Sequence, residues 1–185
     1  MALRFAFIAV MLVMLVVGAC RPHQPPPSAP PAHTNAAGVS LIKESEALRL
    51  KPYRLHGQWY VGYGHLLEKP GAAITEAEAE RLLRKDLAIC EEAIRQTVHV
   101  PVNANEFSAM ASLCYTLGVP AFAQTSVVKR LNAGDRHGAG DAFLLFVKAE
   151  TEDGTMKTLS MLKERRKKER ALFVEPETPS IAASS

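Results

Sequence analysis

The chain has 185 residues, of which 48% are hydrophobic and 22% charged, and its formal net charge is +3. This length holds one ordinary domain with an appendage, and the composition is that of a globular protein. The mild positive charge fits work on an anionic polymer and falls far short of the dense basic surface typical of nucleic-acid binding.

The N-terminus carries Arg4 followed by an uninterrupted apolar run from Phe5 to Ala19. This run is shorter than the roughly 20 residues that cross a bilayer, and it has the length of the hydrophobic region of a signal peptide. It ends in Val-Gly-Ala-Cys at positions 17–20, which resembles the lipobox of bacterial lipoproteins and predicts lipidation at Cys20. A plain secretory signal and an uncleaved weak anchor are the alternatives.

A segment rich in proline, alanine, histidine and serine follows, over residues 21–37. Such a composition builds no core, tends toward extended polyproline conformations and serves as a spacer. We therefore predict an anchor over residues 1–20, a linker over 21–37, one folded domain over 38–173 and a disordered tail over 174–185.

The folded domain begins with mixed elements. Apolar residues with interspersed charges predict a short amphipathic helix over 40–50, stopped by Pro52. Aromatic and β-branched residues divided by glycines predict a β-hairpin over 53–67. Thr75 and Glu78 have the form of a capping box at the start of a long helix, with Thr75 accepting a backbone amide and Glu78 reaching back.

The rest of the domain is predicted to be helical. The long helix buries one apolar stripe, and a second helix, capped by Asn103, stops near Gly118. Further helices are predicted over 126–133, 136–147 and 159–173. These elements describe an α+β fold class, mainly helical.

Cys90 and Cys114 lie on the apolar stripes of the two capped helices. We expect them to behave as buried thiols, with a disulfide as the alternative if those helix faces pack together. The six histidines are scattered singly. Neither metal-ligand spacing nor a phosphate-binding glycine loop is found, so no metal and no cofactor is expected.

Several blocks of the sequence resemble one known family. Residues 46–54, EALRLKPYR, and 59–65, WYVGYGH, are similar to the active-site hairpin of phage-type lysozymes, glycoside hydrolase family 24. The similarity continues at 117–122, 131–135 and 165–173, in the family's order. It implies a lysozyme-like fold, with a small β-hairpin lobe beside a helical lobe, and cleavage of the β-1,4 linkage between MurNAc and GlcNAc in peptidoglycan.

The same resemblance implies roles for individual side chains. Glu46 matches the family's catalytic glutamate, a general acid that protonates the departing glycosidic oxygen. Tyr53 and Gly64 of the hairpin, together with Arg165 and Arg166, are implied to lie near the substrate.

The chain departs from the family at two positions. The family has an aspartate nine residues after its glutamate and a threonine fifteen residues after it. Strict counting gives Leu55 and Val61 there, and a one-residue gap puts Tyr60 in the threonine's place. Because no Asp or Glu lies between Glu46 and Glu68, the second carboxylate of an inverting lysozyme is missing.

Three interpretations follow from this gap. Glu46 acts alone with help from the substrate's 2-acetamido group, as in lytic transglycosylases, or His56 replaces the base, or the domain binds glycan strands without cleaving them. We favour an enzyme because the motif around Glu46 is complete. His56 also fits an exposed turn residue beside Gly57, and His65 fits a structural link between the hairpin and the helical lobe.

The expected partners are peptidoglycan glycan strands and a membrane, reached through the N-terminal anchor, and no nucleic acid. The basic residues within 163–170 are interpreted as a solvated helix face. We expect a monomer that is exported and anchored to a membrane in the periplasm as a lipoprotein, with a released periplasmic endolysin as the alternative.

Overall fold

The computed structural model describes residues 31–151 and 154–176. The predicted signal segment with Cys20, the first part of the predicted linker and the end of the predicted tail lie outside these ranges. Within the described ranges, no helix is both long enough and apolar enough to cross a membrane.

Most of the described chain is helical. The helices are α1 (Ala36–Glu46), α2 (Glu76–Thr97), α3 (Ala104–Leu117), α4 (Val119–Ala123), α5 (Ser126–Asn132), α6 (Arg136–Ala142) and α7 (Ser160–Val174), with a 3₁₀ turn at Phe143–Leu145. The strands are β1 (Arg49–Leu55), β2 (Gln58–Gly62), β3 (His65–Leu67), β4 (Lys148–Glu150) and β5 (Met156–Thr158). The predicted mainly helical α+β class is confirmed.

Helix α1 begins and ends earlier than predicted. The side chain of Asn35 accepts a hydrogen bond from the backbone N–H of Gly38, so this N-cap starts the helix before Ser40. At the other end Ala47 adopts φ 56°, a left-handed conformation that terminates the helix after Glu46. The apolar residues that follow were wrongly assigned to the helix, because they form strand β1.

The predicted hairpin belongs to a three-stranded antiparallel sheet in the order β1-β2-β3. Leu55 pairs with Gln58 across the turn. The two residues between them, His56 and Gly57, have φ 46° and 80°. Positive φ at both central positions is typical of a type I′ turn, whose backbone twist matches that of the two strands it joins.

The predicted cap residues of α2 and α3 are both present, and one predicted cap bond is absent. Thr75 caps α2, since its hydroxyl accepts a hydrogen bond from the backbone N–H of Glu78 at 3.2 Å. The Glu78 side chain pairs with Arg81 at 2.6 Å and not with the cap, so the predicted reciprocal bond was wrong. Asn103 and Glu106 form a complete capping box on α3.

Helix α3 is the central helix of the core and packs against α1, α2 and α7. Its side chains Phe107, Met110 and Leu113 are fully buried. Cys90 on α2 and Cys114 on α3 form a disulfide across a Cα–Cα distance of 5.7 Å. The expectation of two free thiols was wrong, because the two helices pack with their cysteine-bearing faces together.

The C-terminal half contains elements that were not predicted. Helix α4 follows Gly118 directly, and strands β4 and β5 form a small antiparallel sheet before α7. The helix predicted over 136–147 is α-helical only to Ala142 and continues as the 3₁₀ turn. The end of α1, the three-stranded sheet, α3 and α7 surround one junction, where the candidate site lies.

Candidate active site

Glu46 is the last residue of α1 and lies where the helical part of the chain meets the three-stranded sheet. Its side chain is 25% exposed. Oxygen Oε1 accepts a hydrogen bond from Nη1 of Arg165 at 2.5 Å. Oxygen Oε2 lies 3.5 Å from the position that a Cβ atom on Gly64 would occupy. The carboxylate is therefore held on one side and accessible to a ligand on the other.

Gly64, between β2 and β3, keeps the accessible side of Glu46 open. Its backbone has φ 88°, a conformation that favours glycine. A side chain at this position would be strained and would also contact the carboxylate. The structure thus places the predicted substrate-contact residue Gly64 directly against the candidate acid.

Arg165 reaches Glu46 from α7 and is itself nearly buried, with 6% of its side chain exposed. Its Nε donates to Oε1 of Glu169 at 3.2 Å, and its Nη2 donates to the backbone oxygen of Ser112 at 3.3 Å. These bonds leave Nη1 pointing at Glu46. The guanidinium is fixed by groups of α3 and α7 before it contacts the candidate acid.

Arg166 occupies a different environment. It is fully buried, donates to Oγ1 of Thr116 at 2.8 Å and lies 3.0 Å from Oε2 of Glu169. Burial lowers the pKa of Arg166 to about 10, although the charge of Glu169 opposes this change. The implied proximity of Arg166 to the substrate does not fit this burial, and of the two arginines only Arg165 contacts Glu46. Arg165, Arg166 and Glu169 are called the buried charge cluster below.

Two tyrosines of the hairpin stack near Glu46. The rings of Tyr53 and Tyr60 are 5.8 Å apart, and the guanidinium of Arg49 lies 4.4 Å from the centre of the Tyr53 ring. Burial raises the pKa of Tyr53; the Arg49 charge opposes this increase, and the Glu46 charge adds to it. Tyr53 is therefore within electrostatic range of the candidate acid.

The positions where the family has its aspartate and threonine carry other residues, which differ in their exposure. Leu55 is 48% exposed at the end of β1, and Val61 is buried. Tyr60, the alternative to Val61, pairs with Tyr53 across the sheet, and its hydroxyl donates to Oε1 of Gln58 at 3.0 Å. The gapped alignment is the one that puts a side chain on the same sheet face as Tyr53.

His56 is exposed in the turn between β1 and β2. Glu46 precedes the opposite end of β1, and a strand of 7 residues is about 20 Å long. The structure does not bring His56 and Glu46 together.

Two cavities lie in this region, and Glu46 lines one of them. One, of about 420 Å³, is lined by Glu46 itself together with Thr116, Met161 and Arg165. The other, of about 260 Å³, lies beyond Gly64. The larger cavity therefore gives a ligand space beside the Glu46 carboxylate.

The second cavity shows how the sheet is joined to the helices. Nδ1 of His65 lies 2.8 Å from Oδ2 of Asp86 on α2, which is the structural link expected of this histidine. The hydroxyl of Tyr115 on α3 donates to the backbone oxygen of Tyr63 at 2.7 Å. Burial raises the pKa of Tyr115, and the charges of Asp86 and Glu46 act in the same direction, so the phenol remains a donor.

Three residues of this region were missed in the sequence. Glu169 stands four positions after Arg165 on α7, a spacing at which helix residues pair, and it lies in a block that resembles the family. Ser112 and Asp86 carry no such sign, because their partners lie 53 and 21 positions away. Among residues 31–151 and 154–176, no three His, Cys, Asp or Glu side chains are arranged to hold a metal ion.

Comparisons with known proteins agree with this geometry. The family model described as phage lysozyme matches residues 43–169. The endolysin of Acyrthosiphon pisum secondary endosymbiont phage 1 is 38% identical over 143 residues, covering 76% of this chain and 97% of that protein. A SAR-endolysin of Bacteriophage PS119 is 34% identical over 99 residues, covering 52% of this chain and 59% of that protein.

A solved structure shows the same fold. The muramidase domain of SpmX from Asticaccaulis excentricus superimposes with a TM-score of 0.72 at 39% identity, covering 77% of this chain and 98% of that one.

Proposed function

The chain belongs to the phage lysozyme family and is a peptidoglycan-degrading glycosidase, and we propose that Glu46 is its general acid, acting on the β-1,4 linkage between MurNAc and GlcNAc. One observation carries this proposal. The Glu46 carboxylate has one oxygen bound by Arg165 and the other directed toward Gly64, and it lines a cavity of about 420 Å³.

The proposed reaction uses this single carboxyl group twice. Protonated Glu46 gives its proton to the glycosidic oxygen, the bond from that oxygen to the anomeric carbon breaks, and the leaving sugar departs as an alcohol. The acetamido oxygen of the remaining sugar bonds to the anomeric carbon from the opposite face. An incoming hydroxyl then displaces that oxygen and returns its proton to Glu46.

The incoming hydroxyl decides the product. Water gives a reducing sugar, and the sugar's own 6-hydroxyl gives a 1,6-anhydro end. Participation of the substrate is favoured by the hairpin, where Leu55 stands in place of the family's aspartate and supplies no base for a direct attack by water. For this reason His56, at the far turn, is left out of the proposed mechanism.

Tyr53, Tyr60 and Gly64 are proposed to contact the sugars. The two stacked rings form an apolar and polar surface next to Glu46, of the kind that sugar rings pack against. In this proposal Arg165 holds the acid and does not itself bind the glycan.

The direct test is incubation of the purified full chain, in detergent, with peptidoglycan sacculi. We expect the wild type to release muropeptides and Glu46→Gln to release about 10²- to 10⁴-fold fewer. Glu78→Gln is the matched control, since Glu78 pairs with Arg81 at 2.6 Å on the surface of α2 and lines neither cavity. Wild-type protein that binds sacculi without releasing fragments would show a glycan-binding domain and contradict the proposal.

We also propose the division of the chain into an anchor over residues 1–20, a proline-rich spacer, the folded domain and a short tail, with export and lipidation at Cys20. The similarity to a SAR-endolysin is consistent with membrane-tethered export. The backbone N–H and the hydroxyl of Thr34 both donate to Oε1 of Glu91 at 2.8 Å, which fixes where the chain enters the domain.

Lipidation at Cys20 is tested in cells fed a radioactive fatty acid. The wild-type protein should be labelled and Cys20→Ser should not. A wild-type protein that is exported but unlabelled would contradict lipidation.

A further inference from the structure

We propose that Glu169 is a positioning residue that balances the charge of Arg165 and thereby controls how readily Glu46 exchanges its proton. This inference rests on the proposed role of Glu46. Glu169 never contacts the substrate cleft, since its side chain is fully buried. Its effect passes through Arg165.

The geometry ties Glu169 to both arginines of α7 and to the Ser112 hydroxyl. Oxygen Oε1 accepts hydrogen bonds from the Ser112 hydroxyl at 2.6 Å and from Nε of Arg165 at 3.2 Å. Oxygen Oε2 lies 3.0 Å from Nη1 of Arg166. The Arg165 edge that carries Nε is thereby fixed, and the plane of the guanidinium presents Nη1 to Glu46.

The charges in this arrangement cancel in pairs. Arg165 and Arg166 contribute positive charge, and Glu169 and an ionised Glu46 contribute negative charge. Buried charges are weakly screened, so each one is felt by the others. Without Glu169, both guanidinium charges would act on Glu46 and hold it as a carboxylate, the form that cannot donate a proton.

Burial and ion pairing act in opposite directions on Glu169. Burial raises the pKa of Glu169, whereas Arg166, Arg165 and the Ser112 hydroxyl oppose the increase. The net direction is a raised pKa, because burial outweighs these contacts, so the charged form of Glu169 depends on its ion pairs with Arg165 and Arg166.

Other charged and titratable groups face Glu46 from the neighbouring elements. Tyr53 faces it from β1, where Arg49 covers the ring, and Tyr115 faces it from α3. These tyrosines are uncharged when protonated. Glu44 and Lys168, which pair on the exposed surface of α1 and α7, are screened by solvent. Glu169 is the carboxylate that bonds to Arg165 on the side away from solvent, while Glu46 bonds to the same guanidinium.

The test is a direct titration of the Glu46 carboxyl by ¹³C NMR in the full chain, with the resonance assigned from Glu46→Gln. Glu169→Gln keeps the shape and removes the charge. We expect the titration midpoint of Glu46 to fall by about one pH unit, because an uncompensated neighbouring guanidinium favours the carboxylate. The alkaline limb of the pH–activity profile should move in the same direction.

Ser112→Ala provides a second variant in case Glu169→Gln does not fold. It removes the donor that stabilises the Glu169 charge, so a smaller fall in the same direction is expected. Asp141→Asn is the control. Asp141 pairs at 2.8 Å with Arg170, which is on α7 like Glu169 but at the surface. This variant should leave the titration midpoint of Glu46 unchanged.

The possible outcomes distinguish failure of the proposed reaction from failure of the charge coupling. A lowered Glu46 midpoint without muropeptide release would support the charge coupling and contradict the proposed reaction. A midpoint that stays in place or rises, in folded Glu169→Gln or in Ser112→Ala, overturns the inference whatever the activity, because a purely structural pair changes stability alone.

Discussion

The two sides of Glu46 are constructed differently. On the α7 side, the members of the buried charge cluster are at most 6% exposed, and Glu169 pairs with Arg165 at 3.2 Å and with Arg166 at 3.0 Å. On the hairpin side, Leu55 is half exposed, and His56 occupies an exposed turn. The comparison teaches that the groups holding the acid are part of the core, whereas the place of the family's second carboxylate is a surface position.

The largest expected effect comes from breaking the buried side. Arg165→Met leaves Glu169 and Glu46 without a shared partner in a region with little solvent. We expect the free energy of unfolding to fall by about 3–5 kcal/mol, as for other buried ion pairs that lose one member. Chemical denaturation followed by circular dichroism measures this change.

A surface pair that joins α7 to α1 gives the matched control. Lys168→Met removes the partner of Glu44, both of which are mostly exposed, and should cost less than about 1 kcal/mol. Equal losses in the two variants would mean that the buried charge cluster has no special role in stability.

The second-largest effect is expected at Gly64, which lies against Glu46 on the hairpin side. Gly64→Ala forces a side chain onto φ 88°, at a cost of about 1–2 kcal/mol. The new Cβ also contacts Oε2 of Glu46, so muropeptide release should fall by about ten- to a hundredfold.

Gly57→Ala separates strain from contact. Gly57 also has a positive φ, 80°, but a Cβ there meets nothing within 4 Å. We expect a similar stability loss with activity retained. If both alanine variants lose activity equally, the contact with Glu46 is not what matters at Gly64.

The smallest effect is expected on the hairpin. Leu55→Asn should change the free energy of unfolding by no more than about 0.5 kcal/mol, because the side chain is 48% exposed. Muropeptide release should stay within about twofold of the wild type, since no step of the proposed reaction uses this position. A tenfold loss would show that position 55 takes part in the reaction.

The same contrast explains what the sequence could predict. Glu46, Tyr53, Gly64 and Arg165 stand in contiguous blocks that resemble the family, and the structure brings them together. The helical class and the Asn103 cap follow from local patterns that need no distant partner.

Features that depend on distant packing were missed. The end of α1 is set by the backbone of Ala47, and the Cys90–Cys114 disulfide depends on which helix faces meet. The burial of Arg166 is equally invisible, because adjacent arginines in a basic segment look alike until the helix is packed. Local sequence patterns show which face of a helix is apolar, but they do not show which faces of two helices meet.

The central claim is that one carboxyl group, helped by the substrate's acetamido group, cleaves the glycan. The most direct test is ¹H NMR of the anomeric proton in freshly released products, combined with their masses. In the proposed reaction the anomeric carbon is attacked twice, first by the acetamido oxygen and then by a hydroxyl. Two displacements restore the configuration, so we expect a retained β-anomer or a 1,6-anhydro end. An inverted α-anomer would contradict the account, because it requires a base that activates water on the opposite face.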